Sequence, residues 1–313
     1  MDAITIGVDL GKSTFQVAVR GRGDRRGRQH RFTRAQFERF LRTQPAAHVV
    51  MEACGTAHYW ARTVQGCGHR VSLLPPQYVK RYVRRHRKTD RTDAAALLDA
   101  VRNPDIHPVI PKTVAQQELL ALHRIRRQWM TSRTARINAI RGFLKELGFP
   151  MARGAKTACV TARHLLADAT TPIPCAWRTV LKMMLDEVHD LETRVQTIDR
   201  QLGQRAAEHA VAQRLQRIPG VGVLTATALL ATVAHIHAFR NGRRFASWLG
   251  VTPSERSSGE RRRLGCISKA GDAYLRALLT HGARSALRAA HYHERCRHPL
   301  GRLQRWALAV EQR

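Results

Sequence analysis

Four acidic residues have the spacing and setting of a metal-binding carboxylate set. Asp9 and Glu52 each end a short apolar run, and Asp90 and Asp93 lie three residues apart at the start of an alanine-rich stretch. Carboxylates three apart on a helix share one face, where they repel unless a cation lies between them. Each residue also has a plainer interpretation, because Asp is common in turns and at helix starts. The pattern favours a metal site if the strand ends and the helix start meet.

A serine- and arginine-rich segment provides a second set of reactive groups. Ser257 and Ser258 precede Gly259. A serine hydroxyl can attack a phosphodiester while guanidinium groups bind the phosphate and stabilise the transition state. A plain phosphate-binding loop or a flexible loop explains the same residues. The basic residues assigned to nucleic-acid binding around this segment are Arg256, Arg261, Arg262, Arg263 and Lys269.

The elements that would position these groups form an α/β layer at the N-terminus. Apolar residues alternate along Ile4 to Val8 and again along Phe15 to Val19, which predicts a β-hairpin. The apolar runs His48 to Glu52 and Val71 to Leu74 predict further strands, separated by a short helix. Strands that alternate with helices indicate a largely buried sheet. Gly21 to Arg31, rich in Gly and Arg, is predicted to be a mobile turn that faces phosphate.

The middle of the chain is predicted to be helical. Prolines at positions 104, 108 and 111 mark a boundary, so the predicted domains are residues 1–110, 111–208 and 209–313. Acidic residues flank the second long helix of the middle domain, so this helix should contact protein rather than phosphate. We predict an antiparallel coiled-coil stalk that also dimerises. Its seam, spaced alternately by four and three residues, is Trp177, Leu181, Met184, Val188, Leu191, Val195, Ile198 and Leu202.

The C-terminal domain begins with a pattern that resembles a helix-hairpin-helix. Gly220 and Gly222 follow Pro219 between two helical stretches. Glycines at such a turn allow backbone N–H groups at a helix start to meet a DNA phosphate, so both are candidate nucleic-acid contacts. A tight helix–helix turn without a ligand explains them equally well. The remainder of this domain is predicted to be mostly α-helical.

Net charge restricts the class of partner. The 313 residues include 54 Lys and Arg against 23 acids, which gives a net charge of +31. This excess predicts that the protein binds a polyanion, and nucleic acid is the first candidate. There is no membrane-length apolar run, no signal peptide and no CxxC pair among six cysteines, so we expect a soluble intracellular protein. A basic arm before Asp90 adds the candidate contacts Arg84, Arg85, Arg87 and Lys88.

Two groups of Cys and His residues could be imagined as zinc sites, although neither has the usual paired spacing. The second group is predicted instead to lie on a basic tail helix that touches nucleic acid. The two groups are Cys54, His58, Cys67 and His69, and His291, His293, Cys296 and His298.

The order of these motifs along the chain resembles one family, the IS110-type insertion-sequence transposases. The stretches Glu52 to Trp60 and Pro75 to Val79 suggest its IS1111 subgroup. The resemblance covers about residues 4–285, and the combination is specific although each motif alone is weak. The motifs are Ile-Gly-Val-Asp9, Val-Met-Glu52-Ala-Cys-Gly-Thr, Lys-Thr-Asp90-Arg-Thr-Asp93, Ile-Pro-Gly220-Val-Gly222 and Ser257-Ser258-Gly259 followed by Ile-Ser-Lys269-Ala-Gly-Asp.

The resemblance implies a RuvC-like, RNase H-type N-terminal domain and a C-terminal serine transposase domain. The DEDD carboxylates that bind Mg²⁺ fall on Asp9, Glu52, Asp90 and Asp93, and the nucleophile falls on Ser258, with Ser257 as its rival. It also implies RNA-guided recombination, in which a noncoding RNA of the element bridges donor and target DNA. Members act in the bacterial cytoplasm, at the nucleoid, as homo-oligomers: a dimer, and on DNA a tetramer with composite active sites.

Two other functions remain open on the residues alone. A metal-dependent DNA nuclease or Holliday-junction resolvase would use the carboxylates and leave Ser258 structural, so Ser258→Ala would still cleave. A non-catalytic nucleic-acid-binding protein would fit the charge but would leave four placed acids without a role.

Overall fold

The computed structural model describes residues 4–21, 24, 27–83, 89–233, 235–259 and 261–312, without the side chain of Asp90. The chain divides into two compact units, Met1–Val114 and Ala115–Arg313. The first unit is a mixed α/β sheet domain and the second is largely helical, as the sequence predicts. No helix in the described part of the chain has the length and apolar character needed to cross a membrane.

A five-stranded sheet in the order β3-β2-β1-β4-β5 forms the centre of the first unit. The predicted hairpin is confirmed, because β1 and β2 pair antiparallel, while β1, β4 and β5 run parallel. β3 pairs antiparallel with β2, so the segment predicted to be a mobile turn ends in an edge strand. The strands are β1 Thr5–Leu10, β2 Thr14–Arg20, β3 Arg28–Thr33, β4 His48–Glu52 and β5 Arg70–Leu74.

Helices cover both faces of this sheet. On one face, α1 and α2 enclose a core in which Phe15, Phe37 and Trp60 meet edge to face. On the other face, α4 packs Leu97 and Leu98 against the central strands. The sheet is therefore buried on both sides, which explains the continuous apolar runs of its strands. The helices are α1 Arg34–Thr43, α2 Ala57–Gly66, α3 Pro76–Val79 and α4 Asp90–Ala100.

The second unit contains eight described helices and one β-hairpin. The hairpin pairs β6, Pro253–Glu255, with β7, Leu264–Ile267. A short 3-10 turn, Ile236–Ala238, precedes α10. The helices are α5 Val114–Glu146, α6 Ala155–Ala167, α7 Cys175–Glu208, α8 Ala210–Gln216, α9 Val223–Thr232, α10 Gly242–Leu249, α11 Ala273–Arg295 and α12 Arg302–Glu311.

The two longest helices, α5 and α7, pack against each other in opposite directions. Arg126 pairs with Asp199 (Nε–Oδ1 2.5 Å), and Arg136, further along α5, pairs with Glu187, which comes earlier on α7 (Nε–Oε2 2.6 Å). Arg133 and Glu192 form an ion pair between them. The acidic side of α7 therefore contacts arginines of the same chain. Six seam residues of α7 are buried, namely Leu181, Val188, Leu191, Val195, Ile198 and Leu202.

Candidate functional site

Asp9 and Glu52 lie at the carboxyl ends of two neighbouring parallel strands. Val8 of β1 lies opposite Met51 of β4, so the next residue on each strand is an acid at the same edge of the sheet. Both side chains are partly buried. The two carboxyl ends thus bring the first two predicted site residues to one edge, where oxygen ligands for a cation would be needed.

The helix that holds Asp90 and Asp93 crosses β1 at very close range. A Cβ atom on Gly7 of β1 would lie 2.4 Å from the carbonyl oxygen of Ala94, so only glycine permits this approach. Thr89 caps α4: its Oγ1 accepts from the N–H of Thr92 at 3.3 Å, and Thr92 Oγ1 accepts from the N–H of Thr89 at 2.9 Å. The cap is therefore made by two threonines.

Asp93 has an unusual environment for a carboxylate. Its Oδ1 is buried and has no hydrogen-bond partner in the described part of the protein. Burial of an unpartnered charged oxygen is costly, and a bound cation would offset that cost. The acids present at this edge are hard oxygen donors, so they fit a divalent metal.

The described side chains do not by themselves complete a metal cage. Among them, no group of three or more His, Cys, Asp or Glu residues is arranged to hold an ion. The structure brings Asp9 and Glu52 to one edge and places Asp93 on the helix that packs across β1. The side chain of Asp90 lies outside the described structure, as do Arg84, Arg85, Arg87 and Lys88 of the basic arm.

The serine-rich segment forms the tip of the exposed β6–β7 hairpin. The backbones of Ser258 and Arg261 bond to each other in both directions, at 3.3 and 3.2 Å. Gly259 has a φ of +58°, a conformation that glycine adopts without strain. Ser257, Ser258 and the four arginines of this segment are all exposed to solvent. The hairpin therefore presents its hydroxyls and guanidiniums outward.

The two adjacent serines differ in their contacts. Ser257 Oγ donates to Glu255 Oε1 at 2.7 Å and accepts from the N–H of Arg263 at 3.2 Å. The hydroxyl of Ser258 forms no hydrogen bond to any described residue. The Ser257 bond also lowers the pKa of Glu255, with Arg262 as a weaker cause. Ser258 is thus the serine whose hydroxyl is available.

Sequence reasoning missed Glu255, which organises this tip. Its Oε1 also accepts from Arg262 Nε at 3.2 Å, so one carboxylate holds a serine and an arginine. The sequence held a local signal, because Glu255 and Ser257 are only two residues apart and their side chains can therefore reach each other.

Lys269 adopts a backbone conformation that is rare for a side chain of its kind. Its φ is +53°, and its N–H donates to the carbonyl of Gly250 at 3.0 Å. A non-glycine residue in this region costs about 1–2 kcal/mol, which the surrounding contacts must offset. The close packing of Gly250 and Gly271 against neighbouring backbone supplies those contacts. Lys269 itself is exposed next to the base of the hairpin.

Gly220 has a structural explanation inside the chain. The turn between α8 and α9 gives it a φ of +85°, and a Cβ there would lie 2.4 Å from the carbonyl oxygen of Gly282 on α11. Gly222 is different, because no described atom lies within 4 Å of the point where its Cβ would stand, and it is the exposed N-cap residue of α9. A role of either glycine in nucleic-acid binding remains a prediction.

Two histidines of the imagined zinc groups have other partners. His69 accepts the N–H of Ala47 at Nδ1 (3.2 Å) and contacts the carbonyl of Leu41 at Nε2 (2.7 Å), so it fastens the first core. His291 Nε2 contacts Glu311 Oε2 at 2.7 Å, which joins α11 to α12.

Comparison with known proteins identifies the family. Residues 212–298 match the family described as Transposase IS116/IS110/IS902, and residues 6–149 match the DEDD transposase family of the IS110 type. A probable family 20 transposase of Pseudomonas aeruginosa is 38% identical over 100% of this chain and 91% of its own length. The chain belongs to the IS110 family of transposases. The predicted resemblance is confirmed.

Two further relatives agree with this assignment. The transposase of insertion sequence IS1111A from Coxiella burnetii is 38% identical over 92% of this chain and 79% of its own length. The transposase of IS1328 from Yersinia enterocolitica is 34% identical over 96% of this chain and 87% of its own length. As an IS110 family transposase, the protein binds DNA and is an enzyme of DNA strand transfer. Its DEDD domain, at residues 6–149, suggests the use of a divalent metal.

Proposed function

We propose that this IS110 family transposase cuts and rejoins donor and target DNA through a phosphoserine intermediate on Ser258. The observation that supports this most directly is the contrast at the hairpin tip. Ser257 is held by Glu255, whereas the hydroxyl of Ser258 has no partner among the described residues. An exposed hydroxyl between arginines can reach a DNA phosphate without first breaking an internal bond.

The chemistry conserves the energy of the phosphodiester. Ser258 Oγ forms a bond to phosphorus and loses its proton to solvent, while the bond from phosphorus to one DNA oxygen breaks and that oxygen gains a proton. Attack by a hydroxyl of another strand reverses these changes and releases the serine, so rejoining needs no nucleotide cofactor. Arg256, Arg261 and Arg263 would hold the phosphate and offset the charge of the transition state.

We propose that Asp9, Glu52, Asp90 and Asp93 hold Mg²⁺, which prefers oxygen ligands. When bound, the metal would polarise the scissile phosphate and stabilise the leaving oxygen. The buried, unpartnered Oδ1 of Asp93 supports this assignment. The carboxylates belong to the first unit and Ser258 to the second.

We propose that residues 1–110 form a RuvC-like domain, residues 111–208 a coiled-coil stalk and residues 209–313 the serine transposase domain. The buried seam of α7 supports the stalk. The proposed assembly is a dimer that becomes a tetramer on DNA, in which the carboxylates of one subunit serve the serine of another. The proposed location is the bacterial cytoplasm, at the nucleoid.

We further propose that a noncoding RNA of the element guides the choice of DNA. The net charge of +31 exceeds what a small protein needs for solubility and suits binding to more than one nucleic acid. Purification from cells that transcribe the whole element, followed by sequencing of the bound RNA, tests this. A single discrete RNA from the element is expected, and random cellular RNA removed by moderate salt would contradict guidance.

The serine chemistry is tested by trapping the protein–DNA adduct. A substrate labelled on both sides of the joined ends, stopped with denaturant, should yield a covalent adduct with the wild type and none with Ser258→Ala. Ser257→Ala is the comparison variant, because it removes the adjacent hydroxyl and should still form the adduct, although more slowly. Adduct on Ser257 alone, or cleavage that survives in Ser258→Ala, would contradict the proposal.

A metal-dependent nuclease or resolvase without serine chemistry is the second candidate. It is favoured by the same unpartnered oxygen of Asp93, which suggests a metal but does not involve Ser258. Under this alternative, Ser258→Ala cleaves at the wild-type rate and Asp93→Asn does not. The trapping experiment therefore separates the two functions.

A further inference from the structure

Three aromatic rings form a cluster on and before α10. The ring centroids of Phe239 and Trp248 are 5.4 Å apart, those of Phe245 and Trp248 5.9 Å, and those of Phe239 and Phe245 5.3 Å. Phe245 packs against a buried group that includes Leu249 and Leu275, so the aromatic cluster is attached to the core. Trp248, however, remains 39% exposed. A large aromatic ring is thus held rigidly at the surface.

Uncompensated positive charge surrounds this aromatic cluster. Arg240, Arg243 and Arg244 are exposed, and their guanidinium groups have no ion pair or hydrogen bond to any described residue. Arg244 and Trp248 are four residues apart on α10 and therefore share one face. The sequence contains no acid between Glu208 and Glu255. The surface is both aromatic and cationic, and these two features together are typical of single-stranded nucleic-acid binding.

The aromatic cluster is fastened to the base of the serine hairpin. The N–H of Lys269 donates to Gly250 at the end of α10 (3.0 Å), and the N–H of Ser268 donates to Thr252 (2.9 Å). A Cβ on Gly271 would lie 2.2 Å from the carbonyl oxygen of Trp248, so the two segments are in direct backbone contact. From Pro253 to Ser258 an extended strand spans at most about 17 Å. The tip of the serine hairpin and the aromatic cluster are therefore held close together by direct backbone contacts.

We propose that Trp248 stacks on an unpaired base and thereby holds a single nucleic-acid strand at the base of the serine hairpin. Bases within a duplex stack on one another, whereas an unpaired base offers a free face to an aromatic side chain. The three arginines would contact the phosphates on either side of that base. The inference rests on the proposed strand exchange for its purpose, since strands must leave their duplex to be rejoined. The strand itself can be DNA or RNA.

Binding measurements in a Ser258→Ala background test the inference without requiring catalysis. Labelled oligothymidylate, labelled oligouridylate and a DNA duplex of equal length serve as probes in anisotropy titrations at fixed salt. Trp248→Ala is expected to weaken single-strand binding roughly 5- to 100-fold, the range for loss of one base–aromatic stack. Duplex affinity should change less than about twofold, because no free base is present.

Two controls separate stacking from general damage. Trp306→Ala removes another exposed tryptophan, 61% accessible on α12, and should leave all three affinities unchanged. Trp248→Phe keeps an aromatic face and should retain most of the single-strand affinity. Trp248→Leu keeps an apolar side chain without an aromatic face and should lose that affinity. This pair tests stacking even if Trp248→Ala does not fold. Arg244→Gln should reduce the dependence of binding on salt by about 0.7 in log–log slope for a single strand.

The outcomes distinguish this inference from the proposed function. A loss confined to the DNA or to the RNA probe supports stacking and identifies the strand. Equal effects of Trp248→Ala and Trp306→Ala, or equal losses for duplex and single strand, would overturn it. Unchanged single-strand affinity in Trp248→Ala would also overturn it, and an accompanying change in oligomer mass would mean that protein covers the cluster. Failure of the wild type to form a serine adduct would overturn the proposed function but not the stacking result.

Discussion

Ser257 Oγ lies 2.7 Å from Oε1 of Glu255 and donates its proton to that carboxylate. The same oxygen accepts from Arg262, and Ser257 in turn accepts the N–H of Arg263. Glu255 thus connects β6 to the segment that precedes β7, just below the tip of the hairpin. This arrangement uses Ser257 to shape the tip and leaves the hydroxyl of Ser258 without a described partner.

We expect Ser257→Ala and Glu255→Gln to slow adduct formation about tenfold, because each removes a charge-assisted hydrogen bond that orders the tip. Ser258→Ala should abolish the adduct altogether. Ser254→Ala is the matched control: this serine lies on the same hairpin but bonds only to the carbonyl of Cys266 (3.2 Å). Single-turnover rates of adduct formation, measured on the trapped adduct, compare these variants with the wild type. If Ser254→Ala slowed adduct formation equally, any change in the hairpin would have the same effect. That result would contradict a specific role of Glu255.

His123 predicts how the second unit responds to acid. It is only 2% exposed, and its Nδ1 and Nε2 lie 3.0 Å from Tyr274 Oη and 3.0 Å from Thr227 Oγ1. Burial, aided by Arg126, lowers the pKa of His123 from 6.5 to about 4. The unfolded chain therefore binds more protons between these pH values. The resulting stability is present above pH 6.5 and is lost as the pH falls towards 4.

Urea unfolding should show a loss of about 2 kcal/mol for this histidine between pH values of about 7 and about 5. His123→Gln should unfold more easily at neutral pH but lose this component of the pH dependence. His164→Gln, which changes an exposed histidine on α6, should keep the full pH dependence. An identical pH profile for wild type and His123→Gln would contradict the assignment.

The sequence predicts the inner strands of the sheet and β5 but does not predict the edge strand β3. Alternating or continuous apolar residues identify β1, β2, β4 and β5, because those strands are buried by helices. β3, Arg28–Thr33, begins within a segment whose composition predicts a mobile turn. Phe32 is its one apolar residue, so β3 shows no alternating pattern, and it becomes a strand by backbone pairing with β2. Such pairing depends on a neighbour and leaves no local signal.

The same limit applies to the site. The apolar seam of α7 indicates which face is buried, yet the arginines that meet its acids come from a helix more than 50 residues earlier, as Arg133–Glu192 shows. Likewise, the acids Asp9 and Glu52 are evident from where their strands end, whereas the unpartnered Oδ1 of Asp93 depends on the packing of α4 over Gly7. Local sequence identifies the groups, and tertiary contacts decide their environment.

Gly220 and Gly282 should be intolerant of a side chain. A Cβ on Gly282 would lie 2.1 Å from the carbonyl oxygen of Gly220, so alanine at either position must push two backbones apart. We expect each Gly→Ala change to destabilise the protein by more than about 2 kcal/mol. Gly222→Ala is the matched control in the same turn, with open space around it and an ordinary φ of −90°. Thermal unfolding measures all three. A stable Gly220→Ala that fails only to bind DNA would contradict the packing explanation.

For Asp93, the direction of the change in Tm tests whether this residue binds a metal ion. Its buried, unpartnered Oδ1 should destabilise the metal-free protein, so Asp93→Asn should leave the Tm of that form unchanged or raise it. In the wild type, Mg²⁺ should raise the Tm by mass action, because the ion binds only the folded state. Asp93→Asn should abolish that rise and strand cleavage together. Asp105→Asn, which alters an exposed acid after α4, should preserve both. A wild-type Tm that does not rise with Mg²⁺ would contradict the assignment of Asp93 to a metal site. So would an Asp93→Asn protein whose Tm still rises. A Tm rise that is lost in Asp93→Asn but kept in Asp105→Asn would assign the ion to Asp93.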